Sequence, residues 1–424
     1  MSSTIDVEAL RERALGGDRE AQFTLGRHLA ARQEWGRARR LLRDAANQGH
    51  AGALTELALF ALFGIGTAVD HREALSLLER AEAAGSGEAT YQLAIMGWSG
   101  VLVPFDLARI GTRLRDAARR DFAPALRALA LVYAHHGEAT PKLAAEADAC
   151  LARATMLGDG VATYLLGLRM AGADGHALVA QAAERGVARA RGRAPEGTLP
   201  STDAAARIAA PALPDVALHS RPVRRQPLSG DPLLEVFEGA YSAQDCEYVI
   251  AMGANNVAPS MTIDDFAPRL LRSEYRTSSD FQFITFEEDF GLRWLQWRML
   301  EPLGVPMANA EPLVLLRYQP GEEYKPHRDY LPPSTPGNSP RLDQPGQRVH
   351  TVFTYLADVE EGGETDFPMI GARVSPVRGN AVHFVNVFAN GEPDPRTLHA
   401  GLPVRRGEKW LATLWTRQRR FRDY

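Results

Sequence analysis

Apolar residues in the first part of the chain recur at the three- and four-residue spacing of amphipathic helices. Five of these segments end on small residues followed by a glycine, or in one case by Asp121, and these endings begin at residues 45, 81, 117, 154 and 182. The spacings are therefore 36, 36, 37 and 28 residues. Glycine just beyond a helix end and alanine where helices approach closely are typical of stacked helical hairpins. The pattern predicts an all-α repeat solenoid over residues 1–190.

One of these repeats carries a family resemblance. Gly64-Ile65-Gly66 and the segment from Asp70 to Ala74 match the loop and second helix of the Sel1-like repeat, a longer relative of the tetratricopeptide repeat. Other copies are degenerate, so the number of repeats stays open. A solenoid usually presents a concave face that binds a protein partner, although most of its alanines and leucines simply pack neighbouring repeats.

The composition changes from about residue 187, and residues 191–230 are predicted to form a linker. Six prolines occur in this stretch, which disfavours regular structure apart from one helix near residues 203–210. Arg189, Arg191 and Arg193 resemble a nucleic-acid patch in charge alone. No aromatic residues are interleaved for base stacking, so a solvated linker is favoured.

Between residues 231 and 424 the apolar pattern becomes strand-like. Helices are expected at 243–253 and 290–300. Strands rich in Val, Phe, Tyr, Thr and Trp, separated by Gly and Pro turns, are expected at 312–318, 348–356, 381–386 and 409–417. No helix-length segment separates most of the strands, which disfavours a parallel doubly wound sheet. An antiparallel barrel or jelly roll with flanking helices is favoured.

The overall composition excludes several classes of protein. The chain has 424 residues, 45% of them hydrophobic, and a formal net charge of -4, which gives no general reason to bind nucleic acid or acidic membranes. No apolar run approaches the roughly 20 residues that span a bilayer, and no signal peptide is recognisable. With only Cys150 and Cys246, a disulfide framework or a cysteine zinc site is not expected. We expect a cytoplasmic protein.

Three residues in the C-terminal domain are candidate metal ligands and catalytic residues. His327 and Asp329 are two apart in an extended segment, so their side chains point to one face, and His399 follows in the distal half. A His-x-Asp pair alone is common by chance, and the second histidine makes it significant. Two histidines and one carboxylate leave open positions on an octahedral ion, which suits Fe(II) that must bind an oxoacid and O₂. A structural zinc site would need a fourth ligand, and none is apparent.

Lys409 is the candidate anion-binding residue. In a strand that starts there, Lys409, Leu411, Thr413 and Trp415 share one face. If that face lines the barrel, the ammonium points into an enclosed cavity and requires an anion, for which the distal carboxylate of 2-oxoglutarate is suitable. The alternative is an edge-strand charge that discourages aggregation. The position ten residues after His399 favours the anion site.

Residues 233–420 resemble the prolyl 4-hydroxylase branch of the 2-oxoglutarate oxygenases. The ordered matching blocks are residues 276–278, 316–330, 346–348, 355–356, 360–365 and 399–409, continuing to Trp415. The resemblance implies a double-stranded β-helix, or jelly roll, that uses Fe(II), 2-oxoglutarate and O₂, with ascorbate as reductant. Its implied reaction hydroxylates peptidyl proline in a protein or peptide partner and releases succinate and CO₂.

The same resemblance implies further roles for individual residues. Tyr318 and Thr365 would hydrogen-bond the 2-oxoglutarate carboxylate that Lys409 holds. Arg348, Trp415 and Glu311 would line the groove for the peptide substrate, although a barrel-mouth arginine often serves a structural ion pair. The proline-rich stretch at residues 331–346 is expected to be a lid over the substrate, or else an inert surface loop.

Three other functions remain open at this point. The enzyme could act on another residue or on a small molecule, because one scaffold hosts many substrates. An inactive repeat-based scaffold is less favoured, since the polar cluster around the metal ligands is intact. Nucleic-acid demethylation would depend on the basic segment at residues 417–422, which the overall charge does not support.

Overall fold

The computed structural model describes residues 6–137, 140–263, 270–272, 275–284, 287–331 and 345–424. The chain packs as two compact units. The first comprises residues 1–129, 213–217 and 424, and the second comprises residues 130–212 and 218–423. Residues 130–190, predicted to belong with the repeats, thus pack in the same unit as the C-terminal domain.

The first part of the chain is helical, as the apolar spacing predicts. Consecutive helices pair as antiparallel hairpins, and the all-α solenoid is confirmed. Its helices are α1 Val7–Leu15, α2 Arg19–Ala31, α3 Trp35–Asn47, α4 Ala51–Phe63, α5 His71–Ala83, α6 Gly87–Gly97, α7 Leu107–Arg119, α8 Ala123–Gly137, α9 Pro141–Met156, α10 Gly160–Arg169 and α11 Gly172–Glu184. The segment predicted as a linker carries α12 Asp203–Ala206, and the C-terminal domain carries the two predicted helices α13 Ala243–Gly253 and α14 Phe290–Leu300.

The repeated endings stop helices in the way their sequence predicts. Gly49, Gly85, Gly158 and Gly186 follow α3, α5, α9 and α11, and each has a positive φ between 75° and 94°. Asp121 stands in the same place after α7 and also adopts a left-handed φ of 56°. Aspartate is among the few non-glycine residues that tolerate this conformation, so the degenerate repeat keeps the same backbone turn.

The C-terminal domain is a jelly roll, and the predicted fold class is confirmed. Every pair of strands in its sheets is antiparallel. The strands are β1 Arg224–Gly230, β2 Leu233–Glu238, β3 Ala258–Pro259, β4 Met261–Ile263, β5 Leu270–Arg272, β6 Ser279–Gln282, β7 Val314–Tyr318, β8 Tyr324–His327, β9 Arg348–Tyr355, β10 Glu361–Gly362, β11 Thr365–Phe367, β12 Ala372–Val374, β13 Ala381–Val385, β14 His399–Gly401, β15 Val404–Arg406 and β16 Lys409–Arg417.

Two sheets enclose the core of this domain. The larger has the order β1-β2-β13-β9-β16-β7-β6-β3 and the smaller the order β12-β11-β14-β8. Apolar side chains from both, including Leu316, Phe353, Phe367 and Leu411, form one buried cluster. Over the described residues the sheets do not close into a continuous barrel.

The segment predicted as a linker contains regular structure at two places. α12 lies at the predicted helix near residues 203–210. Strand β1 was not expected, and it pairs with β2 at the edge of the larger sheet. Its residues alternate poorly between apolar and polar types and are mostly exposed, which explains why the sequence pattern did not reveal it.

The interpretation of Arg189 as part of a solvated linker is wrong. Its guanidinium donates to both carboxylate oxygens of Glu247 at 2.9 and 3.0 Å, and the hydroxyl of Tyr164 donates to the same carboxylate at 2.8 Å. Burial raises the pKa of Glu247, but Arg189 outweighs burial and holds that pKa below its usual range. The ion pair forms because α13, which carries Glu247, packs beside α10 and the turn after α11 in the same compact unit.

Candidate active site

The three predicted metal ligands come together where β8 and β14 pair. His327 lies directly opposite His399 in the antiparallel register, and Asp329 follows β8 two residues later. One ligand atom from each of the three lies within 4.8 Å of the others. The Nε2 atoms of His327 and His399 each lie 3.8 Å from a carboxylate oxygen of Asp329. These separations are too long for hydrogen bonds and are less than twice a metal–nitrogen bond of about 2.1 Å.

Backbone carbonyls orient both imidazole rings. Nδ1 of His327 lies 2.9 Å from the Lys325 carbonyl, and Nδ1 of His399 lies 3.0 Å from the Thr397 carbonyl. A carbonyl only accepts hydrogen bonds, so each Nδ1 carries the proton and donates it. Both Nε2 lone pairs therefore point toward Asp329 and are free to bind an ion.

The protonation states also suit a metal site. Burial, followed by the charge of His399, lowers the pKa of His327 to about 3, so its imidazole is neutral at pH 7. Burial opposes ionisation of Asp329, but the two histidines and Arg348 outweigh it and hold the pKa of Asp329 below its usual range. Two imidazoles and one carboxylate are the ligands that non-haem Fe(II) takes in a facial arrangement. Among the described residues no fourth protein ligand joins this cluster.

Two residues that the sequence analysis missed hold Asp329 in place. The Thr351 hydroxyl donates to Oδ2 of Asp329 at 2.9 Å, and the amide of Asn386 donates to the same hydroxyl oxygen at 2.8 Å. Because Asn386 supplies the hydrogen to Thr351, the threonine hydrogen is committed to Asp329. Both side chains are at least 99% buried. Such outer partners fix the orientation of a ligating carboxylate.

Replacing Thr351 with valine is expected to weaken Fe(II) binding by about tenfold, because the isosteric side chain cannot donate to Asp329. Calorimetric titration of the protein with Fe(II) under anaerobic conditions measures this change. Thr351→Ser keeps the donor and should bind as wild type does. Thr354→Val is the matched control, since Thr354 is a buried threonine on the same strand that does not line the cavity. Equal Fe(II) affinity in the valine and serine variants of Thr351 would contradict this role.

A cavity of about 240 Å³ opens over the three ligands. The face of β16 predicted to line it does so, with Lys409, Leu411, Thr413 and Trp415 all in the wall. Lys409 is 1% exposed, and among the described residues no carboxylate lies within ion-pair distance of its ammonium. Burial lowers the pKa of Lys409 to about 7, and Glu364 opposes this shift. A buried cation without a partner requires an anion in the cavity.

The other two predicted cofactor-binding residues lie beside Lys409. Tyr318 is opposite Lys409 in the register of β7 and β16, and the ammonium lies 5.3 Å from its ring centroid. Thr365 is 3% exposed, lines the cavity and shares a 2.7 Å hydrogen bond with the hydroxyl of Tyr355. Tyr355, which lies 5.5 Å from the Lys409 ammonium, was matched in sequence but not assigned a role.

Two of the three predicted substrate-groove residues line the cavity, and the third does not. Arg348 and Trp415 line the cavity, with the guanidinium 4.0 Å from the indole centroid. Glu311 is 6% exposed and does not line the cavity. Its carboxylate accepts from Arg348 at 2.7 and 2.8 Å and from Arg417 at 3.0 Å, so it positions Arg348 through an ion pair. Direct contact between Glu311 and substrate stays a prediction. The expected lid lies almost wholly at residues 332–344, outside the described residues.

Comparison with known proteins identifies the family of the C-terminal domain. Residues 313–417 match the sequence profile of the 2OG-Fe(II) oxygenase superfamily, so the C-terminal domain is that of an Fe(II)- and 2-oxoglutarate-dependent dioxygenase. Prolyl 4-hydroxylase 1 of Arabidopsis thaliana is 34% identical over 211 residues, covering 46% of this chain and 73% of that protein. Probable prolyl 4-hydroxylase 7 of the same plant is 32% identical over 218 residues, covering 47% and 67%. The chain belongs to the prolyl 4-hydroxylase family.

Solved structures resemble each part of the chain. A viral collagen prolyl hydroxylase from Paramecium Bursaria Chlorella virus-1 is 28% identical, with a TM-score of 0.35, covering 43% of this chain and 95% of that one. A Sel1 repeat protein from Oxalobacter formigenes is 30% identical, with a TM-score of 0.26, covering 28% and 93%. Within the described residues, no helix is long and apolar enough to span a bilayer.

Proposed function

We propose that this protein hydroxylates peptidyl proline in a protein partner, coupled to conversion of 2-oxoglutarate to succinate and CO₂. The observation that carries this is one cavity that holds both the set of three candidate ligands and the buried cation Lys409, which has no ion-pair partner among the described residues. An oxoacid that binds the metal at one end and Lys409 at the other would satisfy both requirements. The prolyl 4-hydroxylase relatives support proline as the target residue.

In this proposal each ligand residue has a defined task. His327 and His399 would hold Fe(II) through Nε2, and Asp329 would hold it through a carboxylate oxygen, oriented by the hydrogen bond from Thr351 to Oδ2. With 2-oxoglutarate and O₂ bound, the iron supplies the oxidation that inserts one oxygen atom into an unactivated C–H bond. Ascorbate is the proposed reductant that keeps the iron ferrous.

The cosubstrate pocket is built from charge, hydrogen bonds and exclusion of water. Lys409 neutralises the distal carboxylate, and the hydroxyls of Tyr318 and Thr365 add directional contacts. Leu316, Phe353 and Leu411 cover the apolar part of the cavity. An apolar wall strengthens the interaction between Lys409 and the carboxylate, because less water competes for either charge.

Succinate formation tests the proposal directly. Anaerobically purified protein is supplied with Fe(II), 2-oxoglutarate, ascorbate and air, with and without proline-containing peptides. Turnover that rises with peptide and yields hydroxyproline supports the proposal. Succinate that forms at the same rate without peptide would point to a different substrate. The absence of succinate despite bound iron would instead support an inactive scaffold.

We also propose that the helical repeats recruit the partner protein. Removing residues 1–122, and so α1–α7, should spare turnover of short peptides and abolish modification of the full-length partner. Removing residues 1–190 is not an equivalent test, because it takes Arg189 and Tyr164 away from the buried Glu247 carboxylate and leaves it only the longer contact with Arg193 at 3.3 Å. Thermal unfolding of both truncated proteins checks this difference. Undiminished modification of the full-length partner by the protein that lacks residues 1–122 would contradict the proposed recruitment.

The state of the two cysteines supports a proposal about the cellular compartment of the protein. Cys150 and Cys246 are both free and buried. Burial raises the pKa of each thiol above its usual value, so neither forms a reactive thiolate readily. Unpaired cysteines are typical of a reducing compartment, and we place the protein in the cytoplasm.

A further inference from the structure

The cations that line the active-site cavity differ in whether they have a partner. Arg276 is paired with Asp280 at 2.6 Å, and Arg348 is paired with Glu311 at 2.7 Å. Lys409 is buried and meets the cosubstrate in the proposed function. Arg328 also lines the cavity, but it is exposed, and within the described part of the chain no carboxylate lies within ion-pair distance of it.

The Arg328 side chain is nevertheless held in place. Its Nε donates to the carbonyl of Pro395 at 2.9 Å, and no residue that the structure describes accepts a hydrogen bond from the terminal nitrogens of the guanidinium. A long arginine side chain fixed by one backbone contact loses less conformational freedom when it binds a second group. The terminal nitrogens can therefore bind a carboxylate in a two-point contact.

The position of Arg328 in the chain brings its guanidinium close to the substrate. It stands between His327 and Asp329, so its Cα is about 3.8 Å from the Cα of each ligand residue. A peptide whose reacting residue lies over the iron spaces its neighbouring residues about 3.3–3.6 Å apart. A residue one or two positions from the reacting residue would therefore lie within reach of the guanidinium.

We propose that Arg328 selects substrates in which an acidic residue lies one or two positions from the residue that is hydroxylated. This inference rests on the proposed peptidyl-proline hydroxylation. The substrate class is thus an acidic proline-containing segment. A partly exposed ion pair of this kind gives a preference of up to about fivefold over a neutral residue, and a basic residue at the same position adds repulsion of similar size.

The test compares peptides that differ only in one residue next to proline. Glutamate, glutamine or lysine is placed at each of the two positions before and after a single proline, and kcat/KM is measured for hydroxyproline formation. For each variant we compare the kcat/KM of the glutamate peptide with that of the lysine peptide and express the result as their ratio. Both peptides meet the same metal centre, so the ratio is independent of any change in iron occupancy.

The expected ratios differ among wild type and two variants. Wild type should prefer glutamate by about fivefold or more at one of the positions, and raising the salt concentration should reduce this preference. Arg328→Gln should bring the ratio to about one, and Arg328→Glu should invert it. Arg405→Gln is the matched control, because Arg405 is an exposed cation of β15 in the same domain that does not line the cavity, and it should keep the wild-type ratio.

Three outcomes would overturn the inference. A wild-type ratio near one, with hydroxyproline formed, rejects Arg328 as a selector and leaves the proposed function intact. A glutamate preference that persists in Arg328→Gln assigns the selection to another residue. Failure of every peptide to yield hydroxyproline contradicts the proposed function itself. If Arg328→Glu does not fold, Arg328→Gln and the salt dependence of the wild-type preference still test whether Arg328 selects acidic peptides.

Discussion

Replacing His399 with alanine is expected to abolish succinate formation and to weaken Fe(II) binding by more than about 100-fold. Loss of an outer-shell partner of a metal ligand costs roughly 10–100-fold in metal affinity, and loss of the ligand itself should exceed that range. The effect should be large here because His399 is 5% exposed and water does not readily replace its imidazole. Anaerobic calorimetry gives the Fe(II) affinity, and succinate analysis gives the turnover.

A second histidine variant separates loss of the metal from general damage. His176 is an exposed residue of α11, so His176→Ala should retain both iron and turnover. The His399 ring also packs against Phe367 and Phe384, with ring centroids 5.4 and 4.9 Å apart, so thermal unfolding of the metal-free proteins identifies a temperature at which both variants are folded for the affinity measurement. Full Fe(II) affinity in His399→Ala would remove this residue from the metal site.

Replacing Lys409 with methionine is expected to weaken 2-oxoglutarate binding by roughly 30- to 4,000-fold. Truncating one partner of a buried charge pair costs about 2–5 kcal/mol, and 1.4 kcal/mol is a factor of ten. Methionine keeps the length and apolar packing of the side chain while removing the charge. Calorimetric titration of the iron-loaded protein with 2-oxoglutarate measures the loss, and the unchanged Fe(II) affinity of the variant serves as its control.

The pH dependence gives an independent test of the same residue. Burial lowers the pKa of Lys409 to about 7, and the dianionic cosubstrate binds the protonated form. Affinity for 2-oxoglutarate should therefore be highest below pH 7 and fall by up to about tenfold for each unit above it, with uptake of a proton on binding. Lys409→Arg stays charged throughout this range and should show a flat profile. A wild-type affinity that does not change between pH 6 and pH 9 would contradict the assignment.

The sequence could predict the features that depend on local spacing. The glycines and Asp121 that end the helices follow a fixed turn geometry, and the structure confirms them. The alternation along β16 predicted which of its side chains share a face, and that face lines the cavity. The His-x-Asp pair converges with His399 because β8 and β14 are neighbours in the smaller sheet. The strand features could be predicted because successive side chains in a strand point to opposite faces of the sheet.

Contacts that depend on tertiary packing could not be predicted. Thr351 and Asn386 are 35 residues apart, and nothing in either local pattern indicates a hydrogen bond to Asp329. Arg189 and Glu247 are 58 residues apart, and the composition near Arg189 predicted a solvent-exposed linker instead of an ion pair. Glu311 is engaged by two arginines from different strands, so its burial follows from the sheet rather than from its neighbours in sequence.

The most direct test of the central claim is to follow isotopic oxygen from ¹⁸O₂ through a single reaction. Wild-type protein with Fe(II), 2-oxoglutarate, ascorbate and a proline peptide should give succinate and hydroxyproline in equal amounts, each carrying one labelled oxygen atom, and His399→Ala should give neither. Labelled succinate accompanied by unmodified peptide would contradict proline hydroxylation. Unlabelled hydroxyproline, or no succinate from iron-loaded protein, would contradict the dioxygenase reaction itself.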